Sequence, residues 1–205
     1  MEKNSKYHIF LLSATMAVMF WSGIRPHDYF TWILEVFPGI IGIAILLGLY
    51  RKLRLSNLLY SLIALHIMVL AIGGHYTYAE MPLFNWLRDT LGLARNYYDR
   101  LGHLMQGLVP ALIAREIFLR RQVVKPGAWL GFFMVASALT VSVFYEFIEW
   151  WVAVGTGTAA EAFLGTQGDV WDTQWDMFMA LLGSLAAIAI FTKLHDKSLN
   201  KLEKL

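Results

Sequence analysis

The chain has 205 residues, 58% of them hydrophobic and 16% charged, with eight Trp, nine Tyr and thirteen Phe, and a mean hydropathy of +0.52. That leaves too little polar side chain to wrap a water-soluble globule, so lipid must cover part of the surface and the chain reads as a membrane protein. The net charge of +2 is sorted by membrane side, which disfavours nucleic-acid binding, and the absence of cysteine excludes disulfides, thiolate zinc sites and cysteine nucleophiles.

A bilayer core of about 30 Å needs roughly 20 apolar residues per helix. Six runs answer to this, at 7–24, 31–50, 57–78, 97–119, 127–151 and 172–193. They predict an all-α polytopic bundle forming one integral membrane domain over 1–205. The first run follows Lys3 and Lys6 and mimics a signal peptide, but no small-residue cleavage site follows it and Arg25-Pro26-His27-Asp28 comes next, so it reads as an uncleaved helix. Between the third and fourth runs, Leu83, Trp86, Leu87 and Leu91 recur at helical spacing against Asn85, Arg88 and Asp89, with Pro82 before them and Gly92 after. A short helix over 82–91 lying on the membrane surface is predicted. The stretch 152–171 carries Gly155, Gly157, Gly165 and Gly168 around an apolar segment and suits a flexible lid. No internal repeat is visible.

Lys and Arg near helix ends stay preferentially on the cytoplasmic side. With both termini inside, only Arg25, Arg88, Arg95 and Arg100 of the seventeen basic residues fall outside; the rest, from Lys3 to Lys204, are inner. An N-in, C-in topology is expected. The acids sort the other way: of fifteen, only Glu2, Glu116, Asp196 and Glu203 are inner. For Glu80, Asp89 and Glu161 this is ordinary loop filling. It is not so inside a span, where an ionisable group costs about 2.5–3.5 kcal/mol and seldom faces lipid.

Those acids converge. Asp99 and His103 share a face in the first turns of the fourth helix, continued by Gly107 and Pro110; Glu146 and Glu149 close the fifth, one turn after Ser142; Asp172 and Asp176 open the sixth. Ala180, Gly183 and Ala187 continue the aspartate face as a small-residue stripe that admits a close neighbour. The start of the fourth helix, the end of the fifth and the start of the sixth all lie at the outer leaflet, where His75 also ends the third. Each group then lies within about two turns of the interface at a rise of roughly 1.5 Å per residue, in a pocket opening to the periplasmic side. Glu35 is either a sixth acid of the site or a paired helix-end residue. His66 suits a hydrogen-bonded interior histidine, and His8, His27 and His195 suit the interface.

Carboxylates with one or two imidazoles suit a divalent ion such as zinc, manganese or iron. The expected metal ligands are His103, Asp172, Asp176 and His75, with Glu146, Glu149 and Asp99 as catalytic carboxylates in a hydrolase or transferase acting on a lipid or envelope substrate. Neither a ferritin-like Glu-x-x-His pair nor His-Glu-x-x-His is present. A proton- or cation-coupled transporter is the alternative, although midplane polar residues are few (His66, Ser61, Ser142, Ser184). A non-catalytic envelope-stress scaffold is the third reading. Membrane lipids are the expected partners.

At Asp169-Val-Trp-Asp-Thr-Gln-Trp-Asp176, at Ala180-Leu-Leu-Gly183 and at Tyr145-Glu-Phe-Ile-Glu-Trp150 the chain resembles the YjdF-like family of bacterial inner-membrane proteins. The match takes in Gly74-His-Tyr-Thr-Tyr78 and Tyr98-Asp-Arg-Leu-Gly-His103. The last helix is more distantly similar to VanZ-like proteins, in which an Asn commonly stands where this chain has Ala180. The resemblance implies an inner-membrane helical bundle and, through the VanZ-like proteins, an association with glycopeptide resistance at the envelope. It supplies no reaction.

Overall fold

The computed structural model describes residues 2–157 and 161–203. Within them the chain is helical: α1 Glu2–Ser22, α2 Tyr29–Leu49, α3 Asn57–Tyr76, a 3-10 turn Tyr78–Glu80, α4 Pro82–Leu91, α5 Tyr98–Arg120, α6 Ala128–Thr156, α7 Glu161–Leu164, α8 Asp172–Ala186, a π turn Ala187–Phe191 and α9 Thr192–Glu203. Four helices among the described residues are long and apolar enough to cross a bilayer: α2, α3, α6 and the continuous Asp172–Leu202. Two expected crossings, α1 and α5, are not among the four. The first opens on polar Glu2, Lys3, Asn4, Ser5 and Lys6, and the second carries Asp99, Arg100, Arg115, Glu116 and Arg120. Lys204, counted with the inner basic residues, lies outside the described residues.

The charges of α5 are sheltered because it is the central helix, packed on α3, α6 and α8. Its approach to α8 is at backbone distance. A Cβ on Gly107 would fall 1.9 Å from the Ala180 carbonyl oxygen, and one on Gly183 would fall 2.0 Å from that of Leu104. The small-residue stripe of α8 therefore faces α5 and brings Asp172 and Asp176 against the first turns of α5. An apolar cluster including Leu59, Ile63, Leu112, Met134 and Ala138 fills the space between α3, α5 and α6.

Local chemistry sets several helix ends. Asp28 caps α2, its carboxylate accepting from the Thr31 N–H at 2.6 Å, and this bond holds its carboxyl below the usual range. Ser56 caps α3. Pro82 at the first turn and left-handed Gly92 (φ 63°) bound α4. This helix buries none of its residues and leaves Leu83, Trp86 and Leu91 exposed on one face.

The first helix spans Glu2–Ser22 rather than 7–24, and three further boundaries differ from expectation. The third run stops at Tyr76 because Thr77 adopts φ 63°, rare for a β-branched residue. The fifth runs on to Thr156, so the first part of the expected lid is helix; residues 158–160 of it lie outside the described residues. The sixth continues through the π turn into α9, beyond 193, and carries His195 inward. That histidine is fully buried, which corrects its expected place at the interface.

Candidate functional site

Two buried polar clusters stand at the two ends of α5. At its C-terminal end, Glu116 Oε1 accepts from the Ser56 N–H at 2.9 Å and from Arg120 at 3.2 Å, while its Oε2 accepts from His195 Nε2–H at 2.9 Å. Arg115 donates to His195 Nδ1 at 3.0 Å and to Asp196 at 2.6 Å. Both Glu116 oxygens and both His195 nitrogens are thus satisfied, and the cluster ties α9 to α5 and to the start of α3. Sequence reading missed it, since these residues sit among solvated Lys and Arg.

The cluster at the N-terminal end of α5 collects the residues predicted from spacing. Asp99, His103, Glu146, Glu149, Asp172 and Asp176 are all buried. Arg95, just before α5, reaches Asp172 Oδ1 at 2.5 Å, and Arg100 reaches the same oxygen at 2.8 Å. Arg100 also pairs with Asp176 and lies 3.8 Å from Asp99 Oδ2. Asp169 adds a carboxylate oxygen 3.5 Å from Arg95 and 3.4 Å from Arg100. The outer layer is therefore a guanidinium–carboxylate lattice.

His103 forms the inner layer. Its Nε2 lies 3.4 Å from Asp99 Oδ1 and 3.7 Å from Asp176 Oδ1; its Nδ1–H donates to Gln106 Oε1 at 2.9 Å, with Glu146 Oε1 3.7 Å away. One ligand atom from each of Asp99, His103 and Asp176 falls within 4.8 Å of the others. The bond to Gln106 fixes the tautomer, so in a neutral ring the Nε2 lone pair points at two carboxylates. Such an arrangement requires a proton or a cation between them.

Unlike the cluster at the C-terminal end of α5, this one has spare capacity. Glu146 Oε1, Ser142 Oγ, Tyr78 Oη and Arg95 Nε are buried without a hydrogen-bond partner among the described residues, and neither hydrogen bond nor ion pair within hydrogen-bonding range reaches Glu149 among them. A cavity of about 110 Å³ lies beside His103, bounded by His66, Tyr78, Gln106, Pro110 and Tyr145. Glu35 joins from α2, accepting from the Tyr145 hydroxyl at 3.5 Å, and the Tyr145 ring meets His103 edge-on with centroids 6.3 Å apart. Glu35 therefore lies beside Tyr145, which borders this cavity.

The segment 163–169 covers the outer side. Gly165 O accepts from Arg95 at 2.8 Å, and Gln167 exchanges bonds of 3.0 and 2.8 Å with the Asn96 backbone. His75 is not brought in. Its Nδ1–H donates to Ser22 O at 2.9 Å and its ring packs on Trp21, with centroids 4.5 Å apart, so it fastens α3 to the end of α1. Arg95 and Gln106 were missed as site members, although both are near His103 and Asp99 in sequence: Gln106 three residues after one, Arg95 four before the other.

Residues 7–197 match the family described as predicted membrane protein DUF2238. The chain is similar to the inner membrane protein YjdF of Escherichia coli (strain K12), 47% identical over 184 residues that cover 90% of this chain and 88% of the relative. No solved structure matches. These findings, with the apolar helices, make the chain an inner-membrane protein.

Proposed function

This chain belongs to the DUF2238 family of predicted membrane proteins, and from that premise we propose that its outer-end cluster is a divalent-cation centre of a hydrolase or transferase whose lipid or envelope substrate enters from the periplasmic side. The observation that carries the reading is the convergence of Asp99, His103 and Asp176 with His103 Nδ1–H held by Gln106. Two carboxylates and an imidazole oriented by an outer partner are a donor set suited to zinc, manganese or iron. Unpartnered Glu146 Oε1 and buried Glu149 stand next to it, in reach for a general base. Arg95 and Arg100 neutralise Asp172 and Asp176, so the outer layer holds its shape while Asp99 and Glu146 keep free lone pairs. A divalent ion held by Asp99, His103 and Asp176 would polarise a substrate oxygen and acidify a water, and one of the two neighbouring carboxylates, Glu146 or Glu149, would accept the proton.

Six crossings with both termini cytoplasmic belong to this reading. The sorting of Lys and Arg supports them, and α1 and α5 are long enough to cross beside the four strongly apolar helices.

Elemental analysis of the purified full chain tests the centre. The wild type should carry close to one transition-metal ion per chain, and His103→Ala and Asp176→Asn should lose most of it while retaining helical content. Equal, negligible metal in all three would end the metal reading and favour a proton-binding role.

A further inference from the structure

α1 and α2 both pack on α3, and between them, over the first half of α1, runs an apolar groove of about 320 Å³. Leu12, Thr15, Ile43, Leu46, Ile63 and Ala64 line it, and Ser5, His8 and Tyr50 close its end. From Ser5 to Thr15 the helix rises roughly 15 Å, half of an approximately 30 Å hydrocarbon core. The groove thus spans one leaflet, from the Lys-bearing end of α1 to the midplane, and the exposed Ile9 and Leu47 at its rim open it to the side. At the closed end the side chains are pinned: the Tyr50 hydroxyl donates to His8 Nδ1 at 2.8 Å, and His8 Nε2–H donates to Asn57 Oδ1 at 2.8 Å. This fixes a polar floor at headgroup depth.

The charge around that end is predominantly basic. Lys6, Arg51 and Lys52 are exposed there, and Arg54 lies over the Tyr50 ring, 5.0 Å from its centroid. Glu2, which opens α1, is the one acid in 1–27, and none occurs in 36–79, so α1, the α2–α3 turn and α3 together carry several more cations than carboxylates. We infer that the groove is a binding site for one anionic phospholipid of the cytoplasmic leaflet, an acyl chain lying between α1 and α2 and the phosphate headgroup against Lys6, Arg51 and Lys52. The site is separate from the outer-end cluster and stands whether or not that cluster binds metal.

Native mass spectrometry of the full chain, delipidated in detergent and then offered phosphatidylglycerol or phosphatidylethanolamine with matched palmitoyl-oleoyl chains, tests the inference. One phosphatidylglycerol per chain should be retained in preference to phosphatidylethanolamine. Lys6→Gln, Arg51→Gln and Lys52→Gln should each weaken phosphatidylglycerol about fivefold and, combined, abolish the preference. Ala64→Phe, which fills the groove, should reduce retention of both lipids; Leu47→Trp at the exposed rim makes the same test should Ala64→Phe fail to fold. Equal retention of the two lipids, indifference to the charge changes, or a dimer that Ala64→Phe disrupts would overturn it, the last by showing a second copy in the groove.

Discussion

His103 is held by Gln106 on one nitrogen and faced by Asp99 and Asp176 on the other, and those carboxylates are themselves tied to Arg100. The guanidinium is thus the residue on which the outer layer depends. Arg100→Gln leaves Asp172 and Asp176 buried with too little positive charge, and breaking such a network costs about 3–5 kcal/mol. Thermal unfolding in detergent should show a large fall for Arg100→Gln and none for Arg88→Gln, whose pair with Asp89 is exposed; equal transitions for the two would contradict the network. The acids and His103 were legible because helical spacing puts them on shared faces at one depth. Arg95 was not, since it precedes the helix and nothing periodic places it. His195 was hidden for another reason: it lies among Lys193, Asp196 and Lys197, and the π turn before it shifts the helical phase, so its burial against Glu116 follows no repeat that can be counted in the sequence.

At the scale of the elements, the site exists because α5 and α8 meet at backbone distance. The stripe of Ala180, Gly183 and Ala187 was readable as a close-contact face, and Gly107 continued the Asp99–His103 face, so this pairing was the most legible in the chain. Gly107→Val places its Cβ where the Ala180 carbonyl already stands, an obstruction by backbone that no rotamer change relieves. A loss of about 3 kcal/mol or more is expected, with the site lost as well. Gly48→Ala, where a Cβ meets nothing within 4 Å, should unfold at the wild-type temperature or slightly above. Helix ends were less legible. Hydropathy continues past 151, the helix past 193 goes on through a polar segment that no longer reads as a membrane span, and the stop at Thr77 is a backbone conformation rather than a compositional change.

Across the whole molecule, basic residues gather at one end of the bundle and acids at the other, and the two clusters of α5 divide the labour accordingly. The one at Glu116 and His195 is fully paired and fastens α9; the one at Asp99 and His103 leaves buried donors and acceptors free beside a cavity. Because the chain has no cysteine, the topology can be tested with single substitutions. Asp89→Cys in α4 should react with a membrane-impermeant maleimide in spheroplasts, whereas Lys125→Cys between α5 and α6 should react only after the membrane is permeabilised. The reverse pattern would invert the orientation and put the acidic cluster in the cytoplasm. The membrane class was evident from composition and its helical nature from the length of the apolar runs, while the closure of the site by 163–169 depends on the bond from the Arg95 guanidinium to Gly165 O and on those between the Gln167 side chain and the Asn96 backbone, which a sequence does not display.

Cobalt(II) titration of the full chain, followed by visible absorption, asks the central question directly. A saturable d–d band at one equivalent is predicted for the wild type, abolished in His103→Ala and preserved in His75→Ala, because His75 bonds to Ser22 and Trp21 packs on its ring. No band in the wild type, or the same band in His103→Ala, would contradict a metal centre at His103.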